Sequence, residues 1–354
     1  MKILDRYIAM TVIGGTLMTL LVLGSLLAFV DFVSELDDIG TASYTVVNAF
    51  TYVLLGMPRH MYELFPTAIL IGSLMSLGAL ASSHELIAMR AAGISVATIS
   101  RWVLQAGMLL AILVAIIGEY VVPASERQAQ SVHASALKEN VTLGGKNGFW
   151  IRDGDRYLHA KRVYHDMRLG KVFIYELDDK KRLQRVTFAN SAVYANDNWV
   201  LRDVRRSVFA ENRVVAEQAA SMEWPNLLNP DLFSVLSVQP ENMSMMDLYR
   251  YSSYLKSNDL DASQYTLALW IKVVAPLASM AMLMIALPFV FGSTRSGSAG
   301  SRMLIGLLIG IGFFIVNKAI NHAGQVYGLS PLMSAAAPLT LVMVIGALAM
   351  RRVR

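Results

Sequence analysis

Outside the polar middle of the chain, few residues could do chemistry, and two short segments gather most of them. Ser82 to Ser100 reads SSHELIAMRAAGISVATIS. Ser82 or Ser83 is placed to cap a short helix, Glu85 falls in its first turn where a carboxylate suits the helix dipole, and Gly93 is placed to end it. Leu86, Ile87 and Met89 are then available for docking. Spacing alone leaves two readings open: a connector lying on the lipid surface, or a coupling helix inserted into a groove of a cytoplasmic ATPase. The second segment, Gly56 to Pro66, reads GMPRHMYELFP and holds Arg59, the only basic residue between Arg6 and Arg90. Such an arginine anchors to a lipid headgroup, or it binds a phosphate arriving from the outer leaflet.

Other chemistry is missing. No G-x-x-x-x-G-K-[ST] occurs, because Gly144-Gly145-Lys146 is followed by Asn147 and lacks the earlier glycine. No G-x-S-x-G is present either. The chain has no cysteine, which excludes disulfide scaffolds, thiol catalysis and cysteine-ligated metals. Its six histidines form no close ligand pair, so no metal site is expected. Glu63 and Glu119 fall near the outer boundary of the expected spans and read as helix-end or interface residues rather than a proton relay. No catalytic residue is assigned, and the chain is expected to bind no cofactor of its own.

The elements that position these segments follow from the distribution of charge. The 354 residues are 55% hydrophobic and 16% charged, with a mean hydropathy of +0.47, whereas soluble domains carry about 25% charged residues. Of the 57 charged residues, 37 lie between Pro123 and Ala262. A membrane protein with one water-soluble insert explains this. The insert carries 19 basic and 18 acidic residues, so no basic face calls for nucleic acid. Charge-free stretches predict six spans, at Tyr7–Val30, Leu64–His84, Trp102–Gly118, Val273–Thr294, Met303–Asn317 and the part of Ala319–Met350 beyond Leu332. Ile39–Pro58 is uncharged but polar, and reads as an interfacial helix or an extension of the second span. Lys318 either turns inward or snorkels.

Basic residues collect at alternate ends, in Lys2 and Arg6, Arg90 and Arg101, Arg295 and Arg302, then Arg351, Arg352 and Arg354. The positive-inside rule then makes both termini cytoplasmic and puts the insert on the opposite, periplasmic side. Three regions result: 1–122 with the first three spans and the coupling segment at about 83–97, 123–262 as the insert, and 263–354 with the last three spans.

Pro123 is expected to end the third helix, and Ala124 to Asn140 to form a polar helix. Beyond it the hydrophobic period shortens to that of strands. Phe149–Arg152 and Arg156–Ala160 flank a turn at Asp153-Gly154, and Lys171–Leu177, Leu183–Phe188, Ala192–Tyr194, Trp199–Leu201, Val214-Val215 and Met222–Trp224 follow. Eight or so short strands at this spacing predict an antiparallel β-sandwich or jelly roll. After Pro230 the pattern turns helical, with Asp247 to Lys256 leading back to the membrane. The fold class is therefore an α-helical membrane bundle of six transmembrane helices with an inserted periplasmic antiparallel β domain.

Several segments together resemble a known family. LDRYI (Leu4 to Ile8), FP-x-A (Phe65 to Ala68), HELIAMRAAGIS (His84 to Ser95), GEYVVP (Gly118 to Pro123) and LPFVFGSTRS (Leu287 to Ser296) are similar to the lipopolysaccharide-export permeases of the LptF/LptG family. The LDRYI opening is more similar to the LptG-like half of the pair. The resemblance implies a subunit paired with an LptF-like permease over a dimeric, LptB-like cytoplasmic ATPase that binds ATP and Mg. It also implies an LptC-like anchored protein, an LptA-like periplasmic bridge, and lipopolysaccharide as cargo. Carried onto this sequence, Glu85, Leu86, Met89, Arg90, Ala91 and Gly93 would couple to the ATPase, and Arg59 occupies a position where the family can hold a lipid phosphate. Basic residues found just past the first span in some members are replaced here by Asp31, Glu35, Asp37 and Asp38. Phosphate recognition there would need bridging divalent cations or charge from the partner subunit.

A lipid with several acyl chains needs a wide apolar cavity, which Phe65, Leu74, Leu307, Leu308, Phe313 and Phe314 are able to line, with Lys318 as a further contact. The same positions suit helix packing or lipid exposure equally well. Two other classes stay open on the residues alone. A secondary carrier is disfavoured by the scarcity of intramembrane charge, and a membrane-anchored assembly scaffold needs neither six spans nor an ordered helix at Glu85.

Overall fold

The computed structural model describes residues 3–137, 149–163, 168–178, 180–195, 198–210, 213–224, 239–291 and 299–351. Arg295, part of the LPFVFGSTRS run, the Gly144-Gly145-Lys146 turn, Pro230 and the last three residues lie outside them. Long apolar helices α1 (Ile3–Glu35) and α2 (Val46–Ser82) are followed by a short helix, α3 (Glu85–Ala91), and then α4 (Val96–Ile116). A π turn, Ile117–Val121, joins α4 to α5 (Val122–Ala136). After the β region come α6 (Met245–Ser257), α7 (Ser263–Phe291), α8 (Ala299–Val326) and α9 (Pro331–Arg351). Among the described residues, five helical stretches are long and apolar enough to cross a membrane, and α9 carries a shorter apolar stretch, Pro331–Gly346.

Of the two readings of Ile39–Pro58, the extension of the second span holds and the interfacial helix does not: from Val46 the segment belongs to α2, which begins behind the Thr45 cap and continues past Pro58 and Pro66. Neighbouring helices supply the packing that lets prolines persist in a membrane helix. Glu63 is accordingly mid-helix and exposed rather than at a helix end.

Nor does Pro123 end the third span. It sits in the first turn of α5, where its missing N–H and fixed φ are tolerated. In the wide π register the amide of residue 123 would serve the carbonyl of Gly118. Proline has no N–H to give, and the Lys272 ammonium donates to that carbonyl instead, at 2.7 Å. Tyr62 packs so closely on Gly118 that a Cβ there would lie 2.3 Å from its ring.

Among the described residues the insert has six strands, longer than the short ones expected: β1 (Phe149–Asp153), β2 (Arg156–Val163), β3 (Leu169–Leu177), β4 (Leu183–Ala195), β5 (Asn198–Ala210) and β6 (Arg213–Trp224). The small polar runs read as breaks, such as Ala189–Ser191 and Ala216–Ser221, simply continue β4 and β6. Among the described residues the strands form one antiparallel sheet in sequence order. The first hairpin turns on Gly154-Asp155, one residue later than expected, because Asp153 pairs with Arg156 and Gly154 takes a positive φ of 59°.

One sheet face buries Leu158, Val172, Ile174, Trp199, Leu201 and Val204. The other carries a row of stacked rings, Trp150, His159 and Phe173. In the β3–β4 turn the Asp178 carboxyl accepts the backbone N–H groups of Arg182 and Lys180 and the Arg182 side chain, which together hold it below the usual carboxylate range.

The sheet is joined to the bundle through α6. Asn258 accepts the Gly154 amide at 3.1 Å, and Tyr254 packs against the sheet core. Arg127 of α5 pairs with Asp247 at 2.7 Å. The Glu119 carboxylate, on the π turn, accepts the Met245 amide at 2.8 Å and so caps the start of α6. It lies 3.9 Å from Lys272, which is buried. Glu119 thus ties the π turn to the start of α6 and to α7.

Candidate functional site

The segment from Ser82 to Ser100 folds as a short helix between two membrane helices. His84, with φ 62°, provides a sharp turn out of α2. Neither serine caps the backbone of α3 as expected; Ser83 Oγ instead donates to the Glu85 side chain at 2.9 Å. The C-terminal end matches expectation. Gly93 has φ 88°, its N–H reaches the Arg90 carbonyl, and the Ile94 N–H reaches that of Met89. This 5→2 and 6→1 pair is a Schellman motif, in which glycine avoids the Cβ penalty of the left-handed conformation. Ser95 then caps α4 by accepting the Thr98 amide.

The docking face is corrected by burial. Leu86 and Met89 are only 3% and 7% exposed and belong to the transmembrane core. They face the bundle because they lie three apart on one side of a two-turn helix. The outward face is made by Ile87, Arg90, Ala91 and Gly93, with Glu85 half-buried at its edge. Ala81, Leu86, Ile87, Arg90, Val290 and Phe291 border a shallow depression beside it. The other oxygen of Glu85 accepts the Tyr7 hydroxyl, at 2.8 Å.

At the opposite end of the same helices the acidic stretch is not free. Asp31 accepts from His60 at 2.6 Å and lies 3.7 Å from Arg59. Arg59 is also 3.7 Å from Glu126, a buried carboxylate of α5. Its guanidinium is therefore held between carboxylates of α1 and α5, which corrects the expectation of a cation open to lipid phosphate. Glu35 accepts the Tyr44 hydroxyl and, with Asp38, faces His133. Burial, and then the Glu35 carboxylate, push the Tyr44 hydroxyl well above its usual range. Ligand atoms of Glu35, Asp38 and His133 lie within 4.8 Å of one another, a grouping invisible to sequence spacing because it draws on two distant helices. Each member already takes part in these polar contacts.

The candidate cavity residues separate into two groups. Phe65 and Leu74 are fully buried in the core of the bundle, so they pack helices rather than line an open cavity. Leu307 and Phe313 on α8 are half-buried, while Phe314 is 42% exposed with Lys318 5.3 Å over its ring. Lys318 is exposed, as snorkelling requires. The functional-end residues missed from sequence are Tyr7, His60, Glu126, His133 and Lys272. Only Lys272 left a signal, as a charge on the edge of an otherwise apolar stretch.

Long apolar helices, a β-sheet insert tied to the third and fourth of them, and a short connecting helix with an exposed face define a multi-pass membrane protein of the permease type. The family model for the lipopolysaccharide export system permeases LptF/LptG matches residues 6–352, and the chain belongs to that family. Lipopolysaccharide export system permease protein LptG of Haemophilus influenzae is 34% identical over 343 residues, 96% of each chain. LptG of Escherichia coli K12 is 34% identical over 339 residues, 95% of this chain and 94% of its own.

Proposed function

We propose that this chain is the LptG-like transmembrane subunit of an ATP-driven exporter that extracts lipopolysaccharide from the bacterial inner membrane and passes it to a periplasmic bridge. It pairs with an LptF-like permease, and ATP with Mg is hydrolysed in a separate LptB-like dimer on the cytoplasmic side. LptC-like and LptA-like proteins receive the lipid from the β domain, which lies in the periplasm with both termini in the cytoplasm. The chain itself is non-catalytic. The observation that carries this reading is α3, whose buried Leu86 and Met89 fix it to the bundle while Glu85, Ile87 and Arg90 are left at its outer surface. The exposed apolar faces of α1 and α8, with Leu17 and Leu21 on one and Leu308 and Phe314 on the other, supply surface for acyl chains and the second permease.

Charge reversal tests the reading. Glu85→Arg places a cation where the ATPase groove would meet a carboxylate, and like-charge or unpaired contacts of this kind cost 2–5 kcal/mol, about 30-fold or more in affinity. The expected result is loss of ATPase from the purified complex and loss of lipopolysaccharide export, with the chain still folded in the membrane. Full ATPase recovery with wild-type export would sink the assignment of α3.

A further inference from the structure

Two segments far apart in sequence meet at the α3 end of the bundle. Tyr7 lies in the second turn of α1, and its hydroxyl donates to one Glu85 oxygen at 2.8 Å while Ser83 donates to the other at 2.9 Å. The carboxylate is thereby shared between the helix it starts, the turn that leads into it, and a membrane helix 78 residues away. A hydrogen bond to a charged acceptor is short and directional, so it resists displacement of either partner more than an apolar contact does.

The surroundings give this bond a mechanical meaning. Only Ser83 and His84 join α2 to α3, and His84 takes the left-handed conformation, so a tilt of α3 would turn about this two-residue joint. The apolar contacts of Leu86 and Met89 hold α3 to the core, and such contacts tolerate sliding. α1 is different from its neighbours in that only 22% of its apolar stretch is buried. It meets α2 at close quarters where a Cβ on Gly15 would lie 2.7 Å from the Gly72 carbonyl. Displacement of Tyr7 would therefore move a helix whose outer surface is apolar and open.

We infer that Tyr7 is a positioning residue for energy coupling: its hydroxyl, bonded to Glu85, transmits movement of α3 to α1, so that the ATPase acts on the lipid-facing helix and not only on the core. This rests on the reading of α3 as the coupling helix. Tyr7 need not touch nucleotide, ATPase or lipid to do so.

The test uses the full exporter, purified with the ATPase that accompanies it and reconstituted in proteoliposomes loaded with lipopolysaccharide. Tyr7→Phe keeps the ring and removes the hydroxyl. The expected result is a complex recovered in normal yield and hydrolysing ATP within about twofold of wild type, but with lipopolysaccharide released per ATP reduced about fivefold or more, the lower end of measured coupling effects. In a Glu85→Ala background, Tyr7→Phe should cause no further fall, because the bond is already gone. Unchanged release per ATP in Tyr7→Phe, or a full second loss in the double variant, overturns the proposal. A lowered melting temperature with unchanged release per ATP assigns the bond to local stability and overturns it equally. Failure of the coupling-helix reading is seen separately, in undiminished ATPase recovery with Glu85→Arg.

Discussion

The apolar stretch of α2 and the Leu304–Val326 stretch of α8 have the same mean hydropathy, yet 72% of the first is buried and only 11% of the second. Both satisfy the requirement for crossing a bilayer, about 20 apolar residues that satisfy their own backbone hydrogen bonds. Inside a membrane, however, lipid is as apolar as leucine, and burial is decided by how closely backbones approach. α2 contains the small residues Ala68, Gly72, Ser73, Gly78 and Ala81, and α1 and α7 close around it. α8 uses Gly306 and Gly310 against Leu74 and Thr67 on one side, and leaves Leu308, Ile311 and Ile315 open on the other. Apolarity therefore tells which helices cross, and a small residue marks packing only where a neighbouring helix meets it, as at Gly72 and not at Gly312.

The largest expected effect comes from closing the α1–α2 approach. A Cβ on Gly72 would lie 2.6 Å from the Thr16 backbone, which cannot rotate away. Gly72→Leu should prevent the two helices from meeting and leave little monodisperse protein after detergent extraction. Gly312 on α8 has nothing within 4 Å of its Cβ position. Gly312→Leu should therefore be extracted in near wild-type yield. Equal yields from the two variants would remove the distinction between the helices.

Truncation of side chains gives a smaller and more graded effect. Leu74 is fully buried and Phe65 is 1% exposed, so Leu74→Ala and Phe65→Ala should each cost about 2–5 kcal/mol through lost packing and the cavity left behind. The measurement is a shift in the thermal or denaturant midpoint of the chain in detergent. Values near zero would mean that this part of α2 is loosely packed, and the cavity-lining role first read into the two residues would return.

The same contrast explains what the sequence could and could not reveal. The positions of the helices were legible because charge is excluded from them, and the strand-rich insert because its period is two. The end of α3 was legible at Gly93, since a left-handed residue leaves a compositional mark. Leu86 and Met89 were misjudged because a seven-residue helix is too short for its apolar side to be told from a docking side. Arg59 was misjudged for another reason. Its partners Asp31 and Glu126 come from helices on either side of it in sequence, and nothing local announces that a lone arginine is already paired. Pro123 misled through a rule that holds for regular helices and fails where a π turn and the distant Lys272 together take up the orphaned carbonyl.

The smallest effect on stability is expected at Phe314, and there the comparison of α2 with α8 is sharpest. The ring is partly exposed and its identified partner is the Lys318 ammonium at 5.3 Å, a cation–π contact worth about 0.5–1 kcal/mol at an exposed site. Phe314→Ala should therefore move the unfolding midpoint of the isolated chain far less than Leu74→Ala does, by no more than that contact. If the open face of α8 serves a lipid or a partner helix, the same substitution should act in the assembled exporter, lowering crosslinking of lipopolysaccharide from a photoreactive residue at Leu308 or the yield of the two-permease complex. A stability loss as large as that of Leu74→Ala would mean that α8 is packed within this chain after all. A variant silent in both stability and assembly would mean that its open face meets bulk lipid alone, since a residue that contacts only fluid acyl chains has no specific partner to lose.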